Sequence, residues 1–157
     1  MFLFKGLFVG IIATAIFDLY QLSLFYGYNI NKSRWNLIGR YFIGLKDKKY
    51  YREDITNDDN YKYELLIGYL VHYTIGSIFG ITYVILNILI FNQPSLMLAI
   101  IFGFLTVLGA WCITMPYAFN MGFFASKKEE QKQIMIQNLI AHFIYGIGLF
   151  IGYSLIL

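Results

Sequence analysis

The stretch "ELLIGYLVHYTIGSIFGITYVILNILIFNQP", Glu64 to Pro94, decides the fold. From Leu65 to Phe91 it carries no charged residue, and about 20 helical residues suffice to cross the hydrocarbon core of a bilayer. The run breaks at "NQP", Asn92 to Pro94, which reads as a tight turn with the proline opening a second helix. The stretch therefore predicts one transmembrane helix and an immediate return into the membrane. One residue sits oddly in it: His72, four positions before Gly76, in a segment otherwise apolar or small.

Working outward, three more runs have the same character: Phe2 to Phe25, Ser95 to Phe119, and Ile134 to Leu157. Whole-chain composition agrees. Of 157 residues 59% are hydrophobic and 13% charged, about half the charge of a soluble domain. Mean hydropathy is +0.60. The expected fold is all-α, a single polytopic domain over 1–157 built as a four-helix transmembrane bundle. Ala13-Thr14-Ala15 resembles a signal-peptidase site, but the apolar run continues past it to Phe25, so the first span is read as retained. The single cysteine, Cys112, excludes an internal disulfide and a Cys-based zinc motif. Nothing in the chain resembles a strongly basic or aromatic-basic nucleic-acid motif, so the expected partner is the lipid bilayer, with a homo-oligomer or a membrane partner beside it.

Eleven of the twelve lysines and arginines fall in two connections, residues 26–63 and 120–133, and only Lys5 lies elsewhere. By the positive-inside rule both connections face the cytoplasm, and both termini do not. Within the first connection, Trp35, Ile38, Phe42 and Leu45 form one helical stripe over 33–45 behind a Ser33 cap. Such a segment either lies flat at the headgroup level or is a plain loop with belt aromatics. The following "KDKKYYREDITNDDNYKY" mixes both charges without an apolar period and reads as solvated loop.

The blocks "GIIATAIFDLY", "WNLIGRY", "ELLIGYLVHYTIGSIFG", "PSLMLAIIFGFLTVLGAW", "MGFFASK" and "NLIAHFIYGIGL" together resemble a bacterial family of small four-pass integral membrane proteins known only as a domain of unknown function. The resemblance covers nearly the whole chain. It implies a bacterial inner-membrane protein with four helices and no assigned activity. The family's positions at Asp18, Arg40, Glu64, His72, Gly76, Ser126, His142 and Gly146 are matched, whereas Met115-Pro116 stands where relatives tend to have Gln-Pro.

Spacing by four aligns residues on shared helix faces. Gly6, Gly10, Thr14 and Asp18 share one, as do Glu64, Gly68, His72, Gly76 and Gly80, and then Asn138, His142 and Gly146. Ala99, Gly103, Thr106, Ala110 and Thr114 form a small-residue stripe in the third span. Small faces let helices approach closely in lipid, which assigns Gly6, Gly10, Gly76, Gly80, Gly103 and Gly146 to packing. Counted from the cytoplasmic side, Asp18, His72 and His142 fall at one depth, about 12 Å along their helices at 1.5 Å per residue. Cys112 reaches a similar depth. The two His-x3-Gly spans also run in one direction, as in a weak parallel repeat of residues 1–91 and 95–157.

Charged groups in lipid are costly and pair with something. Asp18, His72 and His142 therefore form either interhelical hydrogen bonds that fix register, or a site. Two imidazoles suit axial haem ligation, and with Asp18 they suit a transition metal such as zinc or iron. Together with Glu64 they suit a proton-linked ion pathway. Arg40 and Glu64 belong at the entrance of such a layer, or else Arg40 binds lipid phosphate while Glu64 opens a helix at its positive end. Cys112 and Asn138 complete the surroundings. An enzyme is the weakest reading, since no nucleophile elbow, phosphate loop or HExxH is present. The rival to a site is a non-catalytic accessory or assembly protein whose polar groups only lock the helices.

Overall fold

The computed structural model describes residues 2–156. It is all-α: 75% helix and, among the described residues, no strand. Five α-helices follow in order: α1 Phe2–Tyr28, α2 Trp35–Gly44, α3 Glu64–Ile90, α4 Leu96–Gly109 and α5 Gln131–Ser154. A π-helical stretch, Ala110–Ala118, continues α4. Four helices are long and apolar enough to cross a membrane: α1, α3, α4 with its continuation, and α5. Their outer faces carry large exposed side chains such as Phe4 (81%) and Leu89 (75%), apolar surface that suits lipid and not water. A helix is the natural answer there, because it satisfies every backbone N–H and C=O within its own segment.

The ends of the helices differ from the apolar runs. α1 extends three residues beyond Phe25, to Tyr28, and α5 starts at Gln131 in place of Ile134. Pro94 does not open α4; Ser95 does, its hydroxyl accepting the Leu98 N–H at 3.2 Å. The turn before it is pinned by Asn87, whose Oδ1 accepts the Ser95 N–H at 2.8 Å while its Nδ2 donates to the Tyr83 carbonyl. Asn87 is fully buried, which is possible because both ends of its amide are occupied.

The chain divides into two compact units. The first comprises the chain up to Ser33, Tyr73–Thr106, and the chain from Leu139 onward. Here α1 meets α3 through glycines: a β-carbon on Gly10 would overlap the Gly76 carbonyl, and one on Gly80 would overlap the Gly10 backbone. α4 meets α5 likewise, with Gly103 against the His142 carbonyl and Gly146 against that of Ala99. Tyr145 Oη then donates to the Gly76 carbonyl at 2.9 Å, tying α5 to α3 inside the core.

The second unit comprises Arg34–His72 and Val107–Asn138. Its α2 lies against the start of α3, where a β-carbon on Gly39 would overlap the Glu64 carbonyl and one on Gly68 the Trp35 carbonyl. Its small core gathers Leu37, Tyr41, Ile55 and Ala118. The π-helical stretch has a local cause. Pro116 has no N–H for the carbonyl four residues back, and the helix loosens to a five-residue spacing, as in Phe119 N–H to Thr114 O at 3.3 Å.

Two expectations for the first connection are corrected here. Ser33 does not cap α2: Arg34 is the N-cap, without a side-chain cap bond, and the Ser33 N–H goes to Gln21 Oε1 at 2.7 Å. The face of α2 opposite the Trp35–Leu45 stripe is buried, holding Leu37, Arg40, Tyr41 and Gly44. The charged run that follows is not simply solvated either, since Arg52 is 5% exposed and Ile55 2%.

Candidate functional site

The most complete polar constellation of the protein is centred on Arg40. α2 points this residue at the start of α3, and its side chain is 4% exposed. A guanidinium has five N–H bonds, and each finds an oxygen. Nε donates to Glu64 Oε2 at 2.8 Å and Nη2 to Glu64 Oε1 at 2.9 Å, a two-bond fork on one carboxylate. Nη2 also donates to Asn60 Oδ1. Nη1 donates to the carbonyls of Ile55 at 3.0 Å and Asp58 at 2.9 Å, with that of Thr56 at 3.4 Å. Hydrogen bonding to Glu64 raises the Arg40 pKa above its ordinary value, so the charge is permanent.

Glu64 is shared further. Its Oε1 also accepts from Asn36 Nδ2 at 3.2 Å, and its Oε2 from the Tyr61 N–H at 3.2 Å. Position and chemistry agree, because a carboxylate in the first turn of α3 faces the positive end of the helix dipole. The lipid-phosphate role expected of Arg40 is thereby overturned: its donors are consumed inside the protein.

Around this pair the loop is stitched by short-range bonds. Asp54 Oδ1 accepts from the Thr56 N–H at 2.9 Å and from its hydroxyl at 2.5 Å, which together lower the Asp54 pKa. The Tyr41 hydroxyl donates to the Tyr50 carbonyl at 2.9 Å, and burial raises its pKa. Asn120 links the two connections, with Nδ2 donating to the Glu53 carbonyl at 3.0 Å and Oδ1 accepting from Tyr51 Oη and Lys127 Nζ. Arg52 is held less fully. Its backbone N–H donates to the Tyr117 carbonyl at 3.0 Å and its Nη1 to Asp58 Oδ2 at 2.5 Å. Its Nε and Nη2, like the Trp111 indole N–H, are buried without an acceptor among the described residues.

The intramembrane candidates divide between the two units. His142 and Asp18 belong to the first, His72 to the second. His142 Nδ1 lies 2.8 Å from the Thr106 hydroxyl, which itself donates to the Gly103 carbonyl at 2.6 Å. Phe17 meets the His142 ring edge-on at 5.9 Å, and Asp18 follows it, half-buried on α1. His72 instead stacks flat on Trp35, with ring centroids 3.8 Å apart and planes 21° from parallel.

Cys112 is a free thiol, half-buried in the π-helical stretch, and Asn138 Nδ2 is bonded to the Ile134 carbonyl of its own helix at 2.8 Å. Among the described residues no three His, Cys, Asp or Glu side chains converge as a metal-holding group would.

Sequence reasoning passed over Thr106 as a hydrogen-bond partner, Trp35 as a stacking partner, and Arg52 altogether. Thr106 lies on the small-residue stripe of the third span, so its inward direction was readable. For Arg52 no local signal exists, since its neighbours are as charged as those of a free loop.

No curated protein and no solved structure matches this chain. The four apolar helices and the resemblance of the sequence blocks find their counterpart in a family model described as "Protein of unknown function (DUF2938)", which matches residues 7–156, and the chain belongs to that family.

Proposed function

We propose that this is a four-pass protein of the bacterial inner membrane that acts as a non-catalytic accessory or assembly factor, presenting a folded loop at the cytoplasmic surface. Residues 26–63 and 120–133 face the cytoplasm in this reading, and both termini lie on the other side. The observation that carries it is the saturation of Arg40, whose five N–H bonds are spent on Glu64 and on three residues of the 55–60 loop. A guanidinium used this way shapes a loop and has nothing left for a substrate. His72 and Asn138 are likewise engaged by stacking and by a bond within their own helix.

One observation favours a second reading, a metal or haem site or a proton-linked path that includes His142. The Thr106 hydroxyl meets Nδ1 of the imidazole, and a partner on one ring nitrogen orients the ring as a ligand or proton carrier needs. The absorption spectrum and metal content of the gently purified protein separate the two. The accessory reading expects neither a Soret band nor stoichiometric metal. A stoichiometric group that is lost in His142→Ala would overturn it.

A further inference from the structure

Burying a charge without partners is among the costliest arrangements in a protein, and Arg52 comes close to it. Its side chain is 4% exposed, yet one side-chain acceptor, Asp58 Oδ2, meets it. The burial is built in. Arg52 Nη2 occupies the place where a β-carbon of residue 44 would be, so a glycine at 44 is what admits the guanidinium.

Arg40 supplies the comparison. Asp58 is common to both arginines, giving its carbonyl to Arg40 and its carboxylate to Arg52. In Arg40 the Nε and Nη2 edge grips the Glu64 carboxylate with two parallel bonds. In Arg52 the same edge, Nε and Nη2, has no acceptor among the described residues. The third such atom, Trp111 Nε1, stands on the π-helical stretch whose Tyr117 carbonyl binds the Arg52 backbone. All three are donors, and the two on Arg52 form one edge of a cation. An edge made only of donors suits a ligand made only of acceptors.

We propose that the Nε/Nη2 edge of Arg52 is a binding site for a phosphate group, supplied either by an anionic phospholipid headgroup or by free phosphate. Planar two-bond recognition of phosphate is what this edge does best. The lipid source rests on the membrane-surface placement of the loop proposed above; the free-phosphate source does not. Because the edge is covered, entry requires the chain over it to part, and binding then protects that chain.

The test uses the full-length protein in neutral detergent and in nanodiscs. Thermal melting and trypsin cleavage in the Lys46–Lys49 segment are followed against inorganic phosphate, and in discs of phosphatidylglycerol compared with phosphatidylcholine. Phosphate at constant ionic strength, or phosphatidylglycerol, is expected to raise the melting midpoint and slow cleavage. Response to phosphatidylglycerol alone identifies the lipid source, and response to phosphate in detergent the free ion. Arg52→Met is expected to abolish the response. Arg52→Lys, which keeps the charge but not the fork, is expected to weaken apparent affinity about tenfold, the value of one charge-assisted hydrogen bond. Lys46→Ala/Lys48→Ala/Lys49→Ala removes more charge, and with it the cleavage sites, and is expected to keep the melting response. No response in the wild type, or one lost in the triple variant yet kept in Arg52→Met, would overturn the proposal. Failure of the lipid arm with a working phosphate arm would fall on the membrane placement instead.

Discussion

Arg40 is buried in a place where a wrong partner count would be punished. Removing one member of a buried pair strands the other, typically at about 3–5 kcal/mol, whereas replacing both by apolar groups is often neutral. Arg40→Met is therefore expected to destabilise the protein by about that much, since it strands Glu64 and the Ile55 and Asp58 carbonyls together. Arg40→Met/Glu64→Leu should recover part of the loss but not all, because the loop carbonyls still lack a donor. A melting series in detergent checks this, and full additivity of the two single changes would refute the pairing. Asp54 makes a separate expectation in pH. Its folded pKa lies below the ordinary 3.8 because Thr56 bonds the ionised form. Its contribution is thus complete above that value and disappears as pH falls through the lower, folded one. Hydrogen exchange at Thr56 and Asn57 should quicken over that acidic window, and Asp54→Asn should flatten the change.

At the scale of elements, two glycines of the same type carry opposite expectations. Gly10 faces backbone, so that a β-carbon would overlap the Gly76 carbonyl, while Gly109 has no neighbour within 4 Å of such an atom. Gly10→Ala should then destabilise by about 1–3 kcal/mol, as overpacking does, and Gly109→Ala should be neutral or stabilise by about 0.5–1 kcal/mol through helix propensity. If both behave alike in a melting comparison, the α1–α3 contact is misplaced. The four-residue spacing made such faces legible, because it depends only on helix geometry. What spacing could not supply is the partner across the face. His72 and His142 share the same His-x3-Gly pattern, yet one stacks on Trp35 and the other bonds Thr106. Those partners lie 37 and 36 residues away in sequence. The loop was misread for the same reason. Composition calls it polar and therefore wet, but Arg40 reaches 24 residues along the chain to Glu64 and gathers the loop on the way. A double-mutant comparison of Thr106→Ala and His142→Ala checks the bond that does form; a coupling near zero would mean the two side chains act independently.

At the scale of the whole molecule, hydropathy and charge answer different questions. Four helices able to cross a membrane follow from apolar length alone, and length was legible throughout. Which side each connection occupies depends on lysine and arginine, and the buried state of Arg40 and Arg52 bears on it. Arg40 spends every donor inside the protein, so it attracts anionic lipid less than exposed lysines do. The bias nonetheless stands without Arg40 and Arg52. Lys32, Arg34, Lys46, Lys48, Lys49, Lys62, Lys127, Lys128 and Lys132 still outnumber the single Lys5 on the other side. The expected topology is accordingly unchanged, and it can be read by labelling. With Cys112→Ala removing the only cysteine, a cysteine is placed at exposed Asp59 or at exposed Leu155. In intact cells whose outer membrane is made permeable, a membrane-impermeant maleimide should modify the Leu155 position and spare the Asp59 position, and lysis should make both reactive. The reverse pattern would put the Arg40-centred loop on the periplasmic face.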